Sequence, residues 1–174
     1  MKTTTTDQIE FQLPGARLGI IAARFNSSIV DGLLDGAMES LQYHGITHED
    51  IELVYVPGAF EMPLIAKRLA MSNRYDGLIA LGAVIRGETA HFEYVAGTCA
   101  SGLAEIALHY DVPIGFGVLT VNNEQQAIAR SGPDADNKGR EATLAVLQMI
   151  KLLRDFSINK KSFPVSEAKF RKPL

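Results

Sequence analysis

Four short stretches of this chain are apolar almost without interruption: Arg17 to Ala23, Ile51 to Val56, Gly77 to Gly82 and Ile114 to Val121. None alternates cleanly between apolar and polar residues. A strand that is apolar along its length has both faces buried, which means a parallel sheet covered by helices. Helical patterns fill the gaps. Val30, Leu33, Leu34, Ala37, Met38 and Leu41 form one stripe, with a capping-box start at Ser28 to Asp31 and a stop at Gly45. Met62, Ile65, Ala66, Leu69 and Ala70 form a second, with Pro63 in the first turn, where its missing N–H costs little. A third helix is expected over His91 to Tyr110 and a short one over Asn123 to Ala129. A last one is expected from about Lys138 to Phe156, with Ala142, Ala145, Val146, Met149, Ile150 and Leu153 in register. Strands alternating with helices predict an α/β fold with right-handed crossovers. Ile9 to Leu13 is a candidate fifth strand, ended by Pro14-Gly15.

At 174 residues the chain is one domain by length, able to bury about 70% of its unfolded surface without staples. Its net charge of −3 gives no basic excess for a nucleic-acid or membrane partner. The apolar run from Leu78 to Ile85 stops at Arg86, far short of a membrane span. Met1 to Thr6 carries no apolar segment, so no secretory signal is expected, and the location expected is cytoplasmic. The single Cys99 allows neither an internal disulfide nor a thiolate metal cluster. Without a signal peptide, the Asn26-Ser27-Ser28 glycosylation triplet reads as accidental. The basic end of the chain, with Lys160, Lys161, Lys169, Arg171 and Lys172, reads as a solvated extension. Two helices carry more apolar surface than one face needs. Leu144, Leu147 and Leu152 fall outside the last helix's stripe, and the third has small residues in rows at Ala96, Ala100, Ala104 and at Gly97, Ser101. Surplus apolar helix surface on so small a sheet predicts burial against other subunits.

Ligands of open α/β sheets bind beyond the carboxyl ends of the strands. The segments there are Arg24 to Ser27, Pro57 to Glu61, Gly82 to His91 and Thr120 to Asn123. No P-loop is present, and Thr120 stands where the third glycine of a dinucleotide fingerprint beginning at Gly115 belongs. Gly87-Glu88-Thr89 reads as the opening of a helix, where backbone N–H groups and a hydroxyl could cradle phosphate; capping by Thr89 is the plainer alternative. His91, in the first turn, could move protons near neutrality or simply cap. His44, His48 and His109 read as surface or capping residues near helix ends. Phe25 and Phe60 sit where turns usually prefer polar residues, so each either stacks on a planar heterocycle or plugs the core. Glu61 could accept hydroxyls or complement a helix dipole. Arg130, near the end of the short helix, suits a phosphate, though spacing alone favours a solvated arginine. Phe116, near the start of the fourth strand, is at the wrong end for a site on its own sheet edge and reads by default as core.

Taken together, Arg24-Phe25-Asn26, Val56 to Glu61, Gly82 to Phe92, Phe116 to Thr120 and Asn137-Lys138-Gly139 closely resemble the 6,7-dimethyl-8-ribityllumazine synthase family. The resemblance covers residues 17–156, leaving 1–16 as an N-terminal extension and 157–174 as a C-terminal tail. It implies a flavodoxin-like three-layer sandwich: a four-stranded parallel sheet with helices on both faces, and a candidate extra N-terminal strand added to a neighbouring subunit. It implies a transferase of riboflavin biosynthesis, with small-molecule substrates and no metal or organic cofactor. The reaction implied condenses 5-amino-6-(D-ribitylamino)uracil with 3,4-dihydroxy-2-butanone 4-phosphate.

By position, the resemblance would make Phe25 stack on the pyrimidine. Ala59, Phe60 and Glu61 would hold the ribityl chain, and Ala83, Val84 and Ile85 would line the ring pocket through backbone groups. Glu88 and Thr89 would bind phosphate, and His91 would shuttle protons. Phe116 and Arg130 would come from the neighbouring subunit, Arg130 reaching the phosphate, and Lys138 would contact the pyrimidine side. The assembly implied is a homo-oligomeric pentamer, with decamer or icosahedral 60-mer left open. Shell-forming members often carry a Thr-Lys pair and a glycine where this chain reads Ser131 to Asp136. The alternatives of other kinds are a non-catalytic flavin-binding or scaffold protein of the same fold, and a related riboflavin synthase using two lumazine molecules.

Overall fold

β1 (Leu18–Ala23) is buried at every position and lies inside the sheet, as a continuously apolar strand should. The structure, a computed structural model, describes residues 12–133 and 136–159. After β1 follow α1 (Ser27–Tyr43), β2 (Ile51–Val56), α2 (Met62–Met71), β3 (Gly77–Ile85), α3 (His91–Tyr110), β4 (Ile114–Val121), α4 (Glu124–Ser131) and α5 (Lys138–Asn159). All strands run parallel in the order β2-β1-β3-β4, with Leu18 opposite both Ile51 and Gly77 and Leu78 opposite Ile114. α1, α4 and α5 pack together on one face of the sheet, α2 and α3 on the other. The fully buried core joins Ile20, Ile21, Leu78, Ile79 and Leu81 of the sheet to Leu33, Leu41, Met62 and Leu147 of the helices. Each such side chain contributes roughly 1.5–3 kcal/mol of burial.

The order places the chain's reversal between β1 and β3. β1 leads outward to β2, and the chain then returns to lay β3 on the other side of β1. A crevice opens there beyond the carboxyl ends of the strands.

Several expectations are corrected. β2 is not buried on both faces: it is an edge strand, with Glu52, Leu53 and Tyr55 exposed. The capping box at Ser28 does not form. Asn26 caps α1 in the left-handed region, at φ 58°, and makes no side-chain capping bond, because its amide is used elsewhere. Gly45 does end the helix region, at φ 79°, as the stop expected of it requires. The buried face of α5 is rotated from the expected stripe: Ala142, Thr143, Val146, Leu147 and Ile150 are buried, while Ala145 and Met149 are exposed. Thr143 is tolerated there because its hydroxyl donates to the Gly139 carbonyl at 2.8 Å. β3 runs on to Ile85, α4 covers Glu124–Ser131 and α5 reaches Asn159, one turn further or less than expected in each case. Of the candidate fifth strand, Gln12 and Leu13 are not in a strand, and residues 9–11 lie outside the described residues, as does the basic tail from 160.

A buried amide joins three elements. Asn137 donates to the carbonyls of Gly32 at 2.8 Å, Ser131 at 3.1 Å and Gly132 at 2.8 Å, and accepts from the N–H groups of Gly139 at 2.9 Å and Arg140 at 3.1 Å. Gly32 and Gly36, one turn apart on α1, leave the groove it occupies: a Cβ at Gly36 would overlap the Asn137 amide. Asn137 thereby fixes the end of α4 and the start of α5 against α1. No helix among the described residues is long and apolar enough to cross a membrane.

Candidate active site

Beyond the carboxyl ends of β1, β2 and β3 lies a cleft of about 660 Å³. Phe25 enters it from the turn after β1, Ala59, Phe60 and Glu61 from the 3-10 turn after β2, and Ala83, Val84 and Ile85 from the end of β3. Thr89 and His91 complete the wall facing them. Nine of the residues singled out in the sequence thus meet in one place. Phe25 is 69% exposed and Phe60 57%, so neither plugs the core of this chain.

The cleft is built from backbone. The N–H of Arg24 donates to the Val56 carbonyl at 2.8 Å and that of Phe25 to the Pro57 carbonyl at 3.0 Å, so the β1 and β2 exits advance together. The Asn26 side chain crosses the crevice to the Ala83 carbonyl at 2.9 Å. This bond explains the left-handed backbone at Asn26, a residue type that tolerates it. Gly58 lies extended in the turn leading to Phe60 and Glu61.

Gly87, Glu88 and Thr89 do not open a helix. They form an exposed loop, and α3 begins at His91. The Thr89 hydroxyl accepts from the His91 N–H at 3.4 Å, but Ala90 holds the cap position and no side chain caps the helix, so Thr89 is not its cap. Glu88 is exposed and is not among the lining residues of the cleft. Tyr94 and Val95 also line it. The sequence signal for them was available: at three and four residues after His91 they share its helix face.

The remaining candidates stand elsewhere. Phe116, Arg130 and Lys138 line a second cleft of about 420 Å³, between β4, α4 and α5. Phe116 is 43% exposed rather than core, because it lies near the open end of an edge strand. Arg130 donates to the Gln126 carbonyl at 3.0 Å, one turn back on its own helix. Lys138 pairs with Glu141, a lining residue that the sequence reading did not single out. Each chain therefore carries two open clefts. One has the aromatic rings, the histidine and a hydroxyl; the other has an aromatic ring and two cations.

Among the described residues, three groups hold their protons more or less tightly than usual. Burial raises the Cys99 thiol to about 11. Burial, the hydrogen bond to Glu52 and that carboxylate's charge raise Tyr75 to about 12. The Arg86 hydrogen bond holds the Glu93 carboxyl below its usual range. Among the described residues, no cluster of three or more His, Cys, Asp or Glu is arranged to hold a metal ion.

Exposed apolar residues stand on α3 and on the β2 side of the sheet. On α3, Tyr94, Gly97, Ser101, Ala104 and Leu108 fall on one face and are exposed, Leu108 at 86%. On the β2 side, Leu53, Tyr55 and Leu64 are exposed as well. A family model described as 6,7-dimethyl-8-ribityllumazine synthase matches residues 15–154, most of the chain.

Proposed function

We infer, since the chain belongs to the 6,7-dimethyl-8-ribityllumazine synthase family of riboflavin biosynthesis, that it condenses 5-amino-6-(D-ribitylamino)uracil with 3,4-dihydroxy-2-butanone 4-phosphate. The products are 6,7-dimethyl-8-ribityllumazine, phosphate and water. The observation that carries this reading is the division of the expected residues between two open half-sites on one chain. A ring of identical subunits, each joined head to tail to the next, brings the first half-site of one copy against the second of its neighbour. The family is one of homo-oligomers, and a pentamer is the assembly proposed. The exposed apolar residues on α3 and β2 support it, since they are more than a monomer needs to show.

In the completed pocket, Phe25 stacks on the pyrimidine and the neighbour's Phe116 and Lys138 close over it. Phe60 and Glu61 hold the ribityl chain, Glu61 accepting its hydroxyls. The backbone groups of Ala83, Val84 and Ile85 read the ring edge. Thr89 and the neighbour's Arg130 hold the phosphate. A carboxylate repels that anion, so Glu88 serves there through its backbone N–H alone. The free amine of the first substrate attacks the ketone, and water leaves. His91 takes a proton from carbon, and phosphate is expelled. The second nitrogen then closes the ring with loss of another water. The reactants are intrinsically reactive, so holding them together supplies much of the acceleration, and the imidazole supplies the proton transfers.

The test is to mix both substrates with the purified protein and follow the lumazine's absorbance and green fluorescence. Product formation with stoichiometric phosphate release is expected. A protein that binds flavin but forms no lumazine would instead be a storage or scaffold member of the fold, and one that consumes lumazine alone would be a riboflavin synthase.

A further inference from the structure

The loop from Gly87 to Ala90 has no buried residue to hold it, and a Cβ at Gly87 would meet nothing within 4 Å among the described residues. It nevertheless carries Thr89 and delivers His91 to the cleft. What closes it is Arg86. Its backbone N–H donates to the Val121 carbonyl at 2.9 Å. Its Nε donates to the Asn122 side-chain oxygen at 3.2 Å, at the exit of β4. Its Nη1 pairs with Glu93, and its guanidinium lies over the Phe92 ring, 4.1 Å from the centroid. The last two contacts lie on the first turn of α3, on the far side of the loop. Arg86 itself is not among the residues lining either cleft.

We infer that Arg86 is a positioning residue, a clasp that ties the two ends of the 86–92 segment to each other and to β4, and so holds Thr89 and His91 where the phosphorylated substrate reacts. The inference rests on the reaction proposed above. The low-lying Glu93 carboxyl is consistent with it, being ionised whenever the enzyme works. Stability is not what the clasp supplies: exposed ion pairs contribute little to folding. Its chemistry also demands arginine. A planar guanidinium can lie on an aromatic face while its edge donates to two partners, and an ammonium cannot do both. A second consequence follows from Asn122. Its N–H donates to the Gln126 side chain at 2.9 Å, and Gln126 holds Arg130 through its carbonyl. The clasp on one half-site is thus continuous with the support of the other.

The experiment compares the full-length enzyme with Arg86→Ala, Arg86→Lys and Glu93→Gln. Arg86→Ala should keep its melting temperature within about 4 °C. It should raise the KM for the butanone phosphate about tenfold and cut kcat/KM for it by up to about 100-fold, since a small misplacement of reacting groups is enough. The KM for the ribitylaminouracil, which meets Phe25 and Glu61 instead, should stay within about twofold. Arg86→Lys should restore part of the loss, and Glu93→Gln should reproduce part of it. Hydrogen exchange on the assembled enzyme should show faster exchange at residues 87–92 in Arg86→Ala. Unchanged exchange there, unchanged kinetics, or equal rises in both KM values would overturn the inference. Failure of the proposed reaction would show separately, as an unsubstituted enzyme that makes no lumazine, and the exchange measurement would still decide whether the clasp exists.

Discussion

His91 begins α3 with its ring in the cleft and its backbone N–H on the Thr89 hydroxyl. One backbone contact thus ties the imidazole proposed for proton transfer to the hydroxyl proposed for phosphate binding. Replacing it by alanine should slow turnover by roughly 10- to 10³-fold with folding intact; a variant at the wild-type rate would remove His91 from the mechanism. Cys99 makes a different kind of prediction. Its thiol is fully buried beneath α3 and held up at about 11, against an ordinary 9.0. The folded chain therefore keeps that proton more tightly than the unfolded one. The associated stability is complete below pH 9 and is lost as pH rises through about 11. Urea midpoints should fall across that window, and Cys99→Ala should flatten part of the slope, leaving the part due to Tyr75, which spans 10 to about 12. An unchanged slope in Cys99→Ala would contradict this. Alkylating reagents should leave the native thiol untouched and label it on unfolding.

The elements that could be read from sequence are those whose signals are local. β2, β4 and α3 have the boundaries their residues predict, because apolar runs end where Pro57 or Asn122 interrupts and helical periodicity ends at Asp111, which turns left-handed at φ 52°. The start of α1 could not be read that way. Ser28 and Asp31 satisfy the capping pattern, but Asn26 takes the cap position, spending its amide on a carbonyl 57 residues away. The rotation of α5 has a similar origin: apolarity picks out Ala145 and Met149, whereas the fit against α1 is set by backbone contact at glycine. A Cβ at Gly139 would fall on the Leu33 carbonyl. Gly139→Ala should therefore cost roughly 1–3 kcal/mol, since backbone cannot step aside as a side chain can. It should also displace Lys138, so the urea midpoint and the affinity for the ribitylaminouracil should fall together. A variant as stable as the parent would show that α1 and α5 are not so close.

At the scale of the whole molecule, strand order decides what each edge presents, and strand order is not written in any one strand. Phe116 is core by composition and exposed by position, because β4 ends the sheet. The residues of the first half-site were recognisable as neighbours, since all follow carboxyl ends of strands. Those of the second were joined only through family resemblance, because they come from β4, α4 and α5 and no one strand exit gathers them. Two half-sites on one chain make a sharp claim about assembly, and subunit complementation tests it most directly. His91→Ala and Arg130→Ala chains, each impaired alone at limiting butanone phosphate, are unfolded together and allowed to reassemble, with differently tagged copies confirming mixing. Sites formed between the intact His91 face of one chain and the intact Arg130 face of the other should restore about a quarter of wild-type activity, the fraction random mixing around a head-to-tail ring allows. Mixed assemblies no more active than either variant alone would contradict the shared pocket.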